Sequence, residues 1–271
     1  MEWLQMIIMA VFQGIAEFLP ISSSGHLCVL YDLFLQCGTE LESSSLTLSI
    51  ALHFGTLISI FVVFWKRIWQ LLTTDKRVIV ALVIATIPAA LLKIIISKTV
   101  GDDSVFENSL LAGICFPITG GILLWCSDRS GETVCRDLSF KHALLIGLSQ
   151  AFALLPGISR SGTTICAGLL CKMKRDEAAT FSFLMAIPAI GGGALLEFIH
   201  LMKQQTSGSS EVISQHGAIL LLVGVIVSCV VGILALKFLL KWLQQGKLKY
   251  FAYYLFVIGP VVVVWQLISI L

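Results

Sequence analysis

Six runs of about 20 apolar residues, near 45–65, 77–97, 107–126, 177–201, 217–241 and 250–270, dominate this 271-residue chain. A helix needs roughly that length to cross a bilayer's hydrocarbon core, where each backbone polar group has to be satisfied within its own segment. The runs predict an all-α integral membrane protein with a single membrane domain. Composition agrees: 57% of residues are hydrophobic and 13% are charged, against about 25% charged in soluble chains. The formal charge of +2 is too small to suggest a nucleic-acid partner. Residues 1–10 carry Glu2 and no basic stretch, and are expected to be mature structure rather than a signal. None of the eight cysteines forms a C-x-x-C pair and six lie in or beside apolar runs, so they read as small buried hydrophobes.

Basic residues alternate between loops. Lys66, Arg67, Lys76 and Arg77 flank one loop, and Arg129, Arg136 and Lys141 lie in another. Lys172, Lys174 and Arg175 mark a third, and Lys237, Lys241, Lys247 and Lys249 a fourth. Loops 37–44, 98–107 and 202–216 are poor in basic residues. The positive-inside rule places the first group in the cytoplasm and the second outside, and all six spans agree. Residues 1–36 then have to end outside, while 142–171 begin and end inside. The 30 residues of 142–171 are too few for two crossings. They predict a re-entrant hairpin bent at Pro156-Gly157, and 1–36 a matching hairpin from outside, bent at Pro20 through Gly25. The expected architecture is two inverted-topology repeats, 1–135 and 136–271, each a re-entrant helical hairpin plus three transmembrane helices. Gln13 and Gln150 precede Leu19-Pro20 and Leu155-Pro156, and Ser22-Ser23-Ser24-Gly25 lines up with Ser159-Arg160-Ser161-Gly162.

Irregular backbone at that depth is tolerated where it is buried in protein or lines a wet cavity. The two turns should therefore face each other across one cavity. Glu17, His26 and Arg160 are costly in hydrocarbon, which makes them functional candidates. Hydroxyl- and glycine-rich turns aim backbone N–H groups at anions, and Arg160 adds a planar fork suited to phosphate. Glu17 suits a base or a ligand of a hard cation, Mg²⁺ or Ca²⁺ rather than zinc. His26 suits proton transfer or a nucleophilic role, and Ser22, Ser23 and Ser24 offer hydroxyls, with His26 as a base for a serine nucleophile. His53, mid-span, is a further candidate for the cavity wall or a packing histidine. His142, His200 and His216 read as interfacial. Glu177 and Glu197 are expected to snorkel or to pair with Lys174 or Lys203. Asp102 and Asp103 read as solvated, and Trp65, Trp69, Trp125 and Trp242 as interfacial belts. The bland alternative for each turn is a kink or a small-residue packing motif.

Two stretches carry a resemblance. Gln13-x-x-x-Glu17-Phe-Leu-Pro-Ile-Ser-Ser-Ser-Gly-His26 and Pro156-Gly-Ile-Ser-Arg-Ser-Gly-Thr-Thr164 resemble the two signature motifs of bacterial undecaprenyl-diphosphatases, the bacitracin-resistance family. Ser182-Phe183-Leu184 and Ala186-Ile187-Pro188 are similar to the segment that follows the second motif. The resemblance covers essentially the whole chain. It implies hydrolysis of undecaprenyl diphosphate to undecaprenyl phosphate and inorganic phosphate, which recycles the lipid carrier for peptidoglycan synthesis and confers bacitracin resistance. It also implies a multi-pass protein of the bacterial plasma (inner) membrane with its site open to the outer, periplasmic side. By position it makes Glu17, Ser23, His26, Ser159, Arg160 and Thr164 the functional set, with Gln13 and Ser22 supporting. Glu17, Ser23, His26 and Arg160 are the expected catalytic residues, and Ser22, Ser159, Arg160, Ser161 and Thr164 the expected phosphate-binding ones. Glu17 and Gln13 are the candidate ligands of a divalent cation, although some members have Glu where this chain has Gln13. The partners are the lipid substrate and membrane lipids, and a homo-oligomer is left open. Inverted repeats with broken helices are also a transporter architecture, so a polyprenyl-phosphate flippase is the alternative.

Overall fold

A computed structural model of the chain describes residues 2–38, 45–100, 108–206 and 215–270. Asp102 and Asp103, much of the three loops poor in basic residues, and the side chains of Glu197, His200 and Lys203 lie outside the described residues. The described chain is helical throughout, apart from turns and one isolated bridge between Thr133 and Met173.

The elements run α1 (Glu2–Ala16), α2 (Ser23–Gln36), α3 (Ser45–Thr73), α4 (Lys76–Val100) and α5 (Ser109–Cys126), then a 3-10 turn at Cys135–Asp137. They continue as α6 (Phe140–Phe152), α7 (Arg160–Leu170), α8 (Arg175–Thr206), α9 (Gln215–Gln244) and α10 (Lys249–Ile270). Among the described residues five helices, α3, α4, α5, α9 and α10, are long and apolar enough to cross a membrane. The sixth expected run lies within α8, a continuous helix of 32 residues. Prolines 88, 117, 188 and 260 sit inside α4, α5, α8 and α10. Each removes one backbone bond, a loss that packed neighbours offset in membrane helices.

The four remaining helices are short. α1 has 15 residues, α2 14, α6 13 and α7 11, or about 16–23 Å at 1.5 Å per residue. None reaches across ~30 Å of hydrocarbon. They pair as α1 with α2 and α6 with α7, each pair folding back at a polar turn, 17–22 or 153–159. α1 lies chiefly against α9, and α6 against α4. Small residues permit these approaches: a Cβ on Gly14 would lie 2.9 Å from the Ser228 carbonyl oxygen of α9, and Gly147 sits directly on the Ala85 backbone of α4.

The apolar core gathers around both turns. Phe18, Phe116, Phe181 and Phe183 are fully buried, and the rings of Phe18 and Phe183 meet edge to face at 5.6 Å. The outer faces are apolar as well, with Val257 and Ile268 67% and 66% exposed, as a lipid solvent requires and water would penalise. Lys66, Arg129 and Lys247 lie over the rings of Trp65, Trp125 and Trp242 at 5.9, 5.1 and 5.4 Å, the cation–aromatic pairing of a membrane interface.

Glu177 departs from the expected snorkelling pair. Its carboxylate accepts the Cys135 N–H at 2.7 Å, tying the first turn of α8 to the 3-10 turn. An ionised oxygen meeting an otherwise unpaired amide is the stronger bond available there. Burial, then the adjoining Glu177, pushes the Cys135 thiol well above its ordinary range, which keeps it inert. The eight cysteines form no disulfide.

Candidate active site

Both polar turns end in the same local device. Ser22 is the N-cap of α2 and its hydroxyl accepts the Gly25 N–H at 3.4 Å. Ser159 is the N-cap of α7 and its hydroxyl accepts the Gly162 N–H at 3.1 Å. Serine satisfies one of a helix's otherwise unpaired N–H groups in this way and leaves its neighbours aimed outward. Ser22 holds φ +72°, a left-handed conformation uncommon for a residue with a side chain. Gly157 holds φ +88°, and a Cβ there would run into the Ala112 backbone of α5. Thr119 of α5 secures the second turn, donating to the Gly157 carbonyl at 2.9 Å and accepting the Ser159 N–H at 3.1 Å.

The turns face each other in direct contact. A Cβ on Gly25 would lie 2.9 Å from the Gly157 nitrogen, and the Ser161 hydroxyl donates to the Leu19 carbonyl at 3.3 Å. Across this junction Arg160 Nη2 meets Glu17 Oε1 at 2.6 Å, with side chains 17% and 6% exposed. A buried carboxylate with a guanidinium against it is held in its charged form, since one charge offsets the cost of burying the other.

Glu17 is the hub. Its second oxygen accepts from Ser23 Oγ at 2.7 Å and from Gln13 Nε2 at 3.1 Å, and His53 Nε2 lies 3.6 Å away. His53 therefore adjoins the Glu17 carboxylate, its Nδ1 donating to the Ser49 carbonyl at 2.8 Å. Two buried polar atoms here have no protein partner, Arg160 Nη1 and Gln13 Oε1. Buried polar groups are nearly always paired, so each of these atoms calls for an explanation.

His26 lies apart from this hub. It is 5% exposed, with Nδ1 2.8 Å from the Ser22 carbonyl and Nε2 2.8 Å from the Tyr254 hydroxyl of α10. The hydroxyl of Ser23 meets Glu17 instead, so this serine is in contact with the carboxylate rather than with His26. The residues expected on the phosphate also divide. Ser22 and Ser159 cap, Ser161 joins the turns, and the buried Thr164 hydroxyl contacts the Arg160 carbonyl at 2.7 Å and Ser182 at 2.6 Å. Thr164 braces α7 against α8 behind the site. Thr119 and Tyr254 are the residues that sequence reasoning missed. Thr119 carried the signal of a polar side chain in mid-span, whereas Tyr254 resembled any interfacial aromatic.

Two capped helix ends, α2 and α7, thus converge on one arginine and one carboxylate. Such an arrangement can bind an anion and can present it with a hydroxyl that already donates to a carboxylate. Comparison with known proteins agrees with that chemistry. Residues 6–261 match the family model described as "Bacitracin resistance protein BacA". The chain belongs to the BacA family. Proteins named undecaprenyl-diphosphatase are similar over nearly their full length. That of Rhodopirellula baltica is 44% identical, covering 98% of this chain and 99% of its own. That of Thermodesulfovibrio yellowstonii is 36% identical over 96% of both chains. The relative from Korarchaeum cryptofilum is 34% identical, covering 96% of this chain and 97% of its own.

Proposed function

We infer that this BacA-family chain hydrolyses undecaprenyl diphosphate to undecaprenyl phosphate and inorganic phosphate. The observation that carries the reading is the Arg160–Glu17–Ser23 line, one guanidinium nitrogen on the carboxylate and the serine hydroxyl on its other oxygen. The unpartnered Arg160 Nη1 is the donor left for the terminal phosphoryl group, and the free amides at the starts of α2 and α7 add their positive ends. Glu17 takes the proton of Ser23 as Oγ attacks the terminal phosphorus. The bond from that phosphorus to the bridging oxygen breaks, and the lipid monophosphate leaves. Arg160 stabilises charge on the equatorial oxygens during transfer. Water then attacks the phosphoserine, with His26 as the base that receives the water's proton. The serine oxygen leaves with the proton held on Glu17, and inorganic phosphate is released.

A hard cation fits as a companion of the substrate rather than as a resident of the protein. Among the described residues no group of three or more His, Cys, Asp or Glu side chains is placed to hold a metal. The unpartnered Gln13 Oε1 and the adjoining Glu17 carboxylate would hold Mg²⁺ or Ca²⁺. When bound, the cation would neutralise part of the diphosphate charge.

The family resemblance supports a site open to the outer side of the bacterial inner membrane, with the basic loops in the cytoplasm by the positive-inside rule. The matching serine caps and the reciprocal partners of α1 and α6 support two inverted repeats, 1–135 and 136–271. Rapid acid quench with substrate labelled at the terminal phosphorus tests the mechanism. Label is expected on Ser23 and absent from Ser23→Ala, with release at least tenfold slower in EDTA. Full turnover by Ser23→Ala would refute the serine nucleophile, and full turnover in EDTA the cation.

A further inference from the structure

His26 is buried and both of its ring nitrogens are engaged, Nε2 by one hydroxyl. The Ser22 carbonyl can only accept, so the His26 Nδ1 that faces it at 2.8 Å carries the proton. In the neutral ring Nε2 is then the acceptor, and it receives the Tyr254 O–H at 2.8 Å. The imidazole is held between two rings, Phe116 with centroids 4.7 Å apart and Tyr254 at 5.7 Å and nearly parallel. His26 is 5% exposed and Tyr254 40% exposed. The buried imidazole thus meets, through Nε2, a partly exposed phenol on a helix that carries neither motif.

We propose that Tyr254 is the proton relay between His26 and the attacking water. This rests on the diphosphatase reading above and adds a residue to it. When the phosphoserine is hydrolysed, the water O–H proton passes to the Tyr254 oxygen while the Tyr254 O–H proton passes to His26 Nε2. The hydroxide oxygen bonds to phosphorus, the bond from phosphorus to Ser23 Oγ breaks, and Tyr254 ends neutral as it began. The imidazolium proton returns by the same path after phosphate departs. Aromatic stacking alone does not account for the arrangement, because it does not require the hydroxyl to sit on Nε2.

Tyr254→Phe tests the relay, since it keeps the ring stack and removes only the hydroxyl. Its kcat is expected to fall roughly 100-fold with KM within twofold, and phosphate label is expected to accumulate on Ser23. Wild-type kcat, or a loss confined to KM without accumulation, would overturn the proposal. A second readout is independent of turnover: carbethoxylation of His26 by diethyl pyrocarbonate, followed by mass spectrometry. Uncapping Nε2 is expected to speed modification several-fold in Tyr254→Phe at an unchanged melting temperature, and an unchanged rate would overturn the contact. If the diphosphatase reading itself fails, wild type releases no phosphate while the carbethoxylation result still stands.

Discussion

Arg160→Ala is expected to lower phosphate release from a polyprenyl diphosphate at least about 10³-fold. Arginines that stabilise the transferring phosphoryl group contribute 10³–10⁵ in rate, and Arg160 is the cation that reaches from the second turn to the first, 2.6 Å from Glu17. The loss should fall mainly on kcat, because the charge that Arg160 meets is greatest in the transition state. Arg160→Lys restores the charge without the planar fork, and is expected to recover only part of the rate. Steady-state kinetics on the three purified proteins, each with its melting temperature in detergent, checks this. Activity of Arg160→Ala within tenfold of wild type would remove Arg160 from the chemistry.

Glu17→Gln is expected to fail twice over. The carboxylate holds Arg160, accepts from Ser23 and Gln13, and faces His53. Its amide analogue keeps the shape but cannot take the Ser23 proton, and loss of a general base costs 10²–10⁴ in rate. It also leaves the Arg160 charge buried without its counter-ion, which destabilises by about 3–5 kcal/mol where a buried pair is broken. The two consequences separate experimentally: a lowered melting temperature reports the lost pair, and a lowered kcat at a temperature where the variant stays folded reports the lost base. A variant equally stable and fully active would contradict both roles.

Much of this site is legible in the sequence, and for a physical reason. Charges and serine turns are so expensive in hydrocarbon that Glu17, His26 and Arg160 stand out against their surroundings, and the matching Ser-x-x-Gly caps place the two turns in corresponding positions. The helical hairpins follow equally from length, since the 30 residues of 142–171 cannot cross twice. Distances across the bend are not legible. Ser22 holds φ +72°, Ser23 meets Glu17 and His26 meets Tyr254 of α10, an arrangement that residue spacing alone does not set. Tyr254 was hidden for another reason: in a helix ending near an interface, tyrosine is ordinary, and its pairing with a residue 228 positions away is a product of packing. Glu177 shows the same limit, because its amide partner at Cys135 is set by how α8 meets the 3-10 turn.

The most direct test of a diphosphate-cleaving site between the two turns is the fate of the terminal phosphorus. Undecaprenyl diphosphate labelled there is incubated with purified wild-type protein in detergent. The expected result is labelled inorganic phosphate and unlabelled lipid monophosphate in equal amounts. Label that stays on the lipid, with the protein demonstrably folded and a divalent cation supplied, would contradict the account.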